Sequence, residues 1–203
     1  MANDQGIRYG AFPVYSPQSP PVVLYYNLET GATLDVFKGQ FVAINSRGNA
    51  QVIAPGDNIA SCGVILSVLD SSLAGLPSGM TTLSQGAYIP RNTNARVGIT
   101  IDPHQLYLME EITGGTAMSA NSIGYLVNFT YTATTGNTNT GWANTVLQNS
   151  TIAAGTGPLL QLMGLKDILN QDGTQNASGA SAKWVVRIAN HQFNGTKLSV
   201  VQG

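Results

Sequence analysis

The segment Lys183-Trp184-Val185-Val186-Arg187-Ile188-Ala189 alternates with a period of two. Trp184, Val186 and Ile188 fall on one face; Lys183, Val185, Arg187 and Ala189 fall on the other. Alternation carried by β-branched and aromatic residues predicts a strand half buried in a sheet. A second apolar run, residues 158–165, precedes it, and a turn-rich segment with Asp172-Gly173 and a Gln/Asn/Ser/Gly run lies between them. Those polar residues suit a surface loop, so the two runs read as two strands, adjacent in one sheet. Nowhere does the chain carry the 3.6-residue pattern of an amphipathic bundle, and no internal repeat is evident.

The same grammar recurs upstream. Thr33-Leu34-Asp35-Val36-Phe37, Gln40-Phe41-Val42-Ala43-Ile44, Ala50-Gln51-Val52-Ile53 and Gly63-Val64-Ile65-Leu66-Ser67-Val68-Leu69 are short apolar runs. Lys38-Gly39, Asn45–Asn49 and Pro55-Gly56-Asp57 separate them as turns. Strands are also expected at residues 97–101, 106–110 and 123–131. Short strands at regular spacing predict a mainly β, antiparallel β-sandwich or barrel with long loops. Residues 71–97 read as mostly irregular, broken by Gly75, Pro77, Gly79 and Pro90. The Thr/Asn/Gly-rich residues 134–157 read as a long surface loop around Trp142, with one short helical piece over 144–149.

Residues 1–30 differ from the rest. Tyr9, Phe12, Tyr15, Tyr25 and Tyr26 are interleaved with Pro13, Pro17, Pro20 and Pro21. Proline excludes helix and central strand, so an extended N-terminal arm is expected. Its aromatics pack on the body of the protein or on a neighbouring subunit, and the neighbour is the favoured partner. The resulting division is an arm over 1–30, a small β unit with an irregular linker over 31–97, and a larger β domain over 98–203.

Composition narrows the function. Charged residues make up 9% of the 203 residues, against about 25% in an ordinary soluble domain, and the net charge is −1. The surface is therefore held in water by neutral hydrogen-bonding groups, which suits dense assembly or a stable extracellular particle. The nine basic residues are scattered, which leaves no nucleic-acid footprint. Residues 1–6 carry neither a basic nor an apolar signal region, and no apolar segment approaches the ~20 residues needed to span a bilayer. Synthesis in the cytoplasm as a soluble chain is expected.

No catalytic or cofactor constellation is visible. Cys62, the only cysteine, lies in an apolar run and reads as a buried, inert thiol. His104, at a turn after Asp102-Pro103, and His191, at the end of the strongest strand, have no second histidine at metal-ligand spacing. Each reads as a surface or hydrogen-bonded histidine. Glu110 and Glu111 are adjacent, so in a strand they face opposite sides. Asp167, Asn170, Asp172 and Gly173 miss the one-three-five spacing of a calcium loop. The Asn-x-Ser/Thr triplets at Asn128, Asn149, Asn176 and Asn194 are near chance in such a chain. A hydrolase would need His191 beside a carboxylate and a nucleophile in a pocket. Arg91 and Arg96, flanking Asn92-Thr93-Asn94-Ala95, face solvent or pair with carboxylates on a partner.

Taken in order, Ile101-Asp102-Pro103, the strand Leu106–Glu110, Ile123-Gly124-Tyr125, Ser150-Thr151, Leu160-Gln161-Leu162-Met163-Gly164-Leu165 and residues 182–191 form a pattern. It resembles a group of virion structural proteins of tailed bacteriophages that decorate or cement the head. In that group the strand after Asp-Pro usually ends in Phe-Glu-hydrophobic-Gln; here it reads Tyr107-Leu108-Met109-Glu110. Lys38-Gly39-Gln40-Phe41-Val42 and Gly63-Val64-Ile65 are similar in style to phage capsid cement proteins. The resemblance covers about half the chain. It implies a β-rich subunit without enzymatic activity or cofactor, often a homotrimer. Such a subunit sits on the capsid exterior of the virion against the major capsid protein. An arm that laces neighbours would add contact area, and Tyr9, Phe12, Tyr15 and Tyr25 are the expected contacts, with Arg91 and Arg96. Removing residues 1–20 is expected to weaken capsid binding and leave the fold intact. The alternative is a carbohydrate-binding or adhesive head-fibre module, with Trp142 stacking on sugar.

Overall fold

The computed structural model describes residues 10–15, 21–29, 31, 33–57, 59–70, 88–93, 95–153, 159–169 and 174–194. Among them the regular structure consists of strands and one 3-10 turn at residues 120–122. The chain is mainly β, with every paired strand antiparallel.

The first sheet contains β1 (Phe12–Tyr15), β9 (Leu106–Glu110), β13 (Lys183–Ile188), β12 (Leu160–Leu165), β10 (Leu126–Asn137) and β11 (Trp142–Ala153), in that order. β12 and β13 are neighbours, Leu162 facing Val186 and Leu165 facing Trp184. The alternation in β13 has the expected consequence: Trp184, Val186 and Ile188 are buried, and Lys183, Val185 and Arg187 lie nearer solvent. The sheet curls until the end of β9 meets β11. Glu111, one residue past β9, forms a bridge with Leu147 of β11, and the Ile112 N–H donates to the Leu147 carbonyl at 3.0 Å.

The second sheet runs β2 (Val23–Asn27), β8 (Ala95–Thr100), β6 (Gly63–Asp70), β4 (Phe41–Ile44) and β5 (Ala50–Val52). It curls in the same way, with Leu28 bridging Ala50 across the two edges. β3 (Val36–Phe37) and β7 (Tyr88–Ile89) form a short pair beside it. Gly63 permits the tight approach of β6 to β8: at φ +153, a Cβ there would stand 1.5 Å from the Thr100 carbonyl oxygen.

Two apolar clusters fill the curled sheets. The first gathers Tyr107, Met109, Val127, Phe129, Leu160, Leu162, Trp184 and Val186 around Phe41 and Val64. The second gathers Val42, Cys62, Ile65, Val97 and Ile99 with Val36 and Ile89. β4 serves both, since Phe41 and Ala43 point into the first cluster and Val42 into the second. Alternation, which elsewhere separates core from water, here separates one core from the other.

A strap after β13 stitches the two sheets together. Residues Ser61 and His191 form a bridge, with the Ser61 N–H donating to the Asn190 carbonyl at 3.0 Å and the Gln192 N–H to the Ser61 carbonyl at 2.8 Å. The Gln192 amide then acts as a substitute strand. It accepts from the Ile44 N–H at 2.7 Å and donates to the Ile44 carbonyl at 3.0 Å.

Several expectations are corrected. Residues 144–149 are not a helix, and the described part of 134–157, residues 134–153, is not a loop: β10 and β11 form a long hairpin closed by a turn at 138–141. Thr and Asn suit a pleated surface when the neighbouring strand supplies their partners. At the turn, the Asn137 side chain accepts the N–H groups of Asn139 and Thr140. The described parts of the arm, residues 10–15 and 21–29, lie on the body of the chain. Its residues supply β1, paired with β9, and β2, paired with β8. Edge positions tolerate Pro13, and both strands complete sheets of this same chain. Ala11 is fully buried, so removing residues 1–20 takes away strand β1 and is expected to lower stability. The division at 97/98 falls inside β8.

Replacing Gln192 by Leu leaves both polar groups of Ile44 without their partner. The expected cost is about 1–3 kcal/mol, read as a lower urea midpoint at unchanged slope. A midpoint equal to that of the parent would show that the clamp contributes nothing.

Candidate functional site

The chemically active residue types come first. Cys62 is fully buried, and burial pushes its thiol up to about 12, which removes it as a nucleophile at neutral pH. The neighbouring Ser61 hydroxyl donates to the Val42 carbonyl at 2.9 Å and accepts the Gly63 N–H at 3.1 Å, a structural role. His104 is exposed, its backbone N–H on the Asp102 carboxylate at 2.8 Å. His191 is buried, against the expectation of a surface or fully hydrogen-bonded ring. Its Nδ1 accepts the Phe193 N–H at 3.1 Å, and its Nε2 has no hydrogen-bond partner. The hydrolase arrangement therefore has its histidine and thiol near one another, but in the interior and not in an open cleft. Among the described residues no group of three or more His, Cys, Asp or Glu side chains could hold a metal ion. The described part of the calcium-like run is Asp167, whose carboxylate accepts from Gln175 at 3.0 Å. Asn170, Asp172 and Gly173 lie outside the described residues.

Glu111 is the polar group that sequence reasoning missed. It is fully buried and accepts three donors: the Met118 N–H at 2.8 Å, Asn149 Nδ2 at 3.2 Å and the Trp184 indole N–H at 3.0 Å. Those donors come from the loop after β9, from β11 and from β13. A buried acid is tolerated only with such pairing, and hydrogen bonds to a charged group contribute roughly 1.5–3 kcal/mol each. The Asn-x-Ser/Thr asparagines are structural in the same manner. Asn149 also donates to the Gly114 carbonyl at 2.7 Å. Asn128 accepts the Leu159 N–H at 3.0 Å. Asn176 holds the strand ends together through the Lys166 carbonyl and both polar groups of the Lys183 backbone.

The surface carries a more suggestive feature. In the second sheet Tyr25 faces Gly98, which faces Ser67, and Asn27 faces Arg96, which faces Leu69. Residues opposite one another share a face, as do residues two apart. Tyr25, Arg96 and Leu69 therefore lie together on the outer face of the curled sheet. Tyr25 is 49% exposed and Leu69 46%, and Arg96 is exposed. The Tyr25 ring rests against Gly98, where a Cβ would stand 3.0 Å from its Cε1 and 2.3 Å from the Ser67 hydroxyl. The missing side chain of Gly98 leaves room for the ring to approach the sheet.

The other expected contact residues are dispersed. Phe12, 41% exposed, lies on β1 of the first sheet with its ring 5.8 Å from that of Trp142. Lys38 Nζ stands 5.1 Å from the Trp142 ring centroid, an arrangement that favours cation–π attraction. The half-buried Trp142 ring, offered as a sugar platform, is thus engaged by two side chains of its own chain. Arg91 sits in the turn after β7 and its N–H donates to the Asp35 carboxylate at 2.9 Å. Tyr15 joins β1 through its backbone, opposite Leu106. Tyr9 lies outside the described residues. No protein-family model matches the chain, and no curated protein matches it.

In the native protein at pH 8, Cys62 is expected to resist a water-soluble maleimide at least a hundred-fold longer than in urea. Mass spectrometry of the adduct reads the result. Labelling at the same rate in both states would place the thiol at the surface.

Proposed function

We propose that the chain is a non-enzymatic structural subunit of a virion that binds the outer surface of a tailed-phage capsid and stabilises the shell. The observation that carries the reading is the exposed face of Tyr25, Leu69 and Arg96, set on a rigid curled sheet. On a surface so poor in charge, an aromatic, an aliphatic and a guanidinium group side by side form a contact patch of the kind found at protein interfaces. The resemblance over residues 101–193 gives that patch its partner, the major capsid protein. The exposed Phe12 and Val14 on β1 supply a second apolar site on the other sheet.

Physics favours the same reading. A particle outside cells has no chaperones, and a body of two closed-up sheets with interlocked cores resists local opening. Few charges at the contact avoid the several-kcal/mol cost of burying an unpaired ion. Modest affinity per copy suffices when a homotrimer engages a symmetric site, because linked contacts multiply. Chemical inertness fits too, since the thiol and the serine beside it are committed to the interior.

The experiment is co-sedimentation of the purified protein with capsids that lack it, alongside Tyr25→Ser and Leu69→Ser variants checked for native circular dichroism. Saturable binding by the parent, at least ten-fold weaker in the double variant, is expected. Absence of binding by the parent, or equal binding by folded variants, would overturn the proposal.

A further inference from the structure

The strap of residues 189–194 contains one titratable side chain, His191, and no charged one. It holds the two sheets together through Ser61 and Ile44. His191 is 5% exposed. Its Nδ1 accepts the Phe193 N–H at 3.1 Å, so the neutral ring carries its hydrogen on the buried Nε2, and an added proton must go to Nδ1, where it displaces the Phe193 N–H. We propose that this makes the junction an acid-operated latch: a proton taken up at Nδ1 breaks the bond from the Phe193 N–H and drives the strap off Ser61 and Ile44. The inference does not depend on what the protein binds.

The groups around the ring set the balance. Burial disfavours the imidazolium most strongly. Asp102, in the turn between β8 and β9, and the Cys62 backbone pull the other way; His104, from that same turn, adds to the disfavour. β4 contributes no charged side chain, since it reads Phe-Val-Ala-Ile. The sum lowers the ring from 6.5 to about 4. The sign follows. A histidine depressed in the closed state and ordinary in the opened one stabilises closure fully above about pH 6.5. That contribution fades as pH falls towards 4. Between these limits each proton favours the opened strap, by about 30-fold at pH 5 and about 300-fold once below pH 4.

Hydrogen exchange on the full chain tests the latch. After correction for the intrinsic pH dependence of exchange, protection of the Ile44, Ser61 and Gln192 amides should fall at least ten-fold from pH 7 to pH 5. Amides of β12 and β13 should keep theirs. A His191→Gln variant should lose this difference. Should that variant not fold, nitrogen chemical shifts of the parent's imidazole decide instead. A ring titrating near 4 to 5 supports the latch, and one titrating at 6.5 or above overturns it. Equal loss of protection in the strap and in β12 and β13 also overturns it.

Discussion

The shared wall between the two cores is the constraint on which the rest depends. β4 and the start of β6 present Phe41, Ala43 and Val64 to one apolar cluster and Val42 and Ile65 to the other. Neither curled sheet has a polar face to turn towards water along this wall, so neither can be completed without the other. Burial of apolar surface on both sides of one strand is the geometry usually met in parallel sheets covered by helices. Here an antiparallel protein reaches it with strands alone. The Gln192 amide on Ile44 completes the edge of that strand, where a further strand would otherwise be needed.

Around the first core a second device fixes how the sheet closes. Glu111 sits where β9 meets β11 and draws in donors from three separate segments. Such a carboxyl group adds little stability against an apolar replacement of equal shape, but it specifies which segments meet. The buried asparagines work alike: Asn149, Asn128 and Asn176 satisfy backbone groups at strand ends where the ladder stops. This explains how a chain with so few charges and so many amides builds closed sheets. The amides substitute for missing ladder partners, and the outer surface is left neutral and available for contact.

What could be read from the sequence follows from range. The burial of Trp184, Val186 and Ile188 and the pairing of β12 with β13 rest on local alternation, which the sequence displays directly. The role of Glu111 does not, because its donors lie 7, 38 and 73 residues away. β11 was hidden by its Thr and Asn content, which has loop character until a neighbouring strand is in place. The arm was hidden for the opposite reason. Proline argues against a central strand, and β1 and β2 are edge strands, where that argument has no force. Of the expected contact residues, Tyr25 and Arg96 meet on one face because β2 and β8 pair with Tyr25 opposite Gly98, a register that no local pattern displays.

The shared wall makes one body of the two curled sheets. Differential scanning calorimetry at neutral pH tests this most directly. The account predicts a single transition whose calorimetric and van't Hoff enthalpies agree. Two resolved transitions, one for each curled sheet, would contradict it.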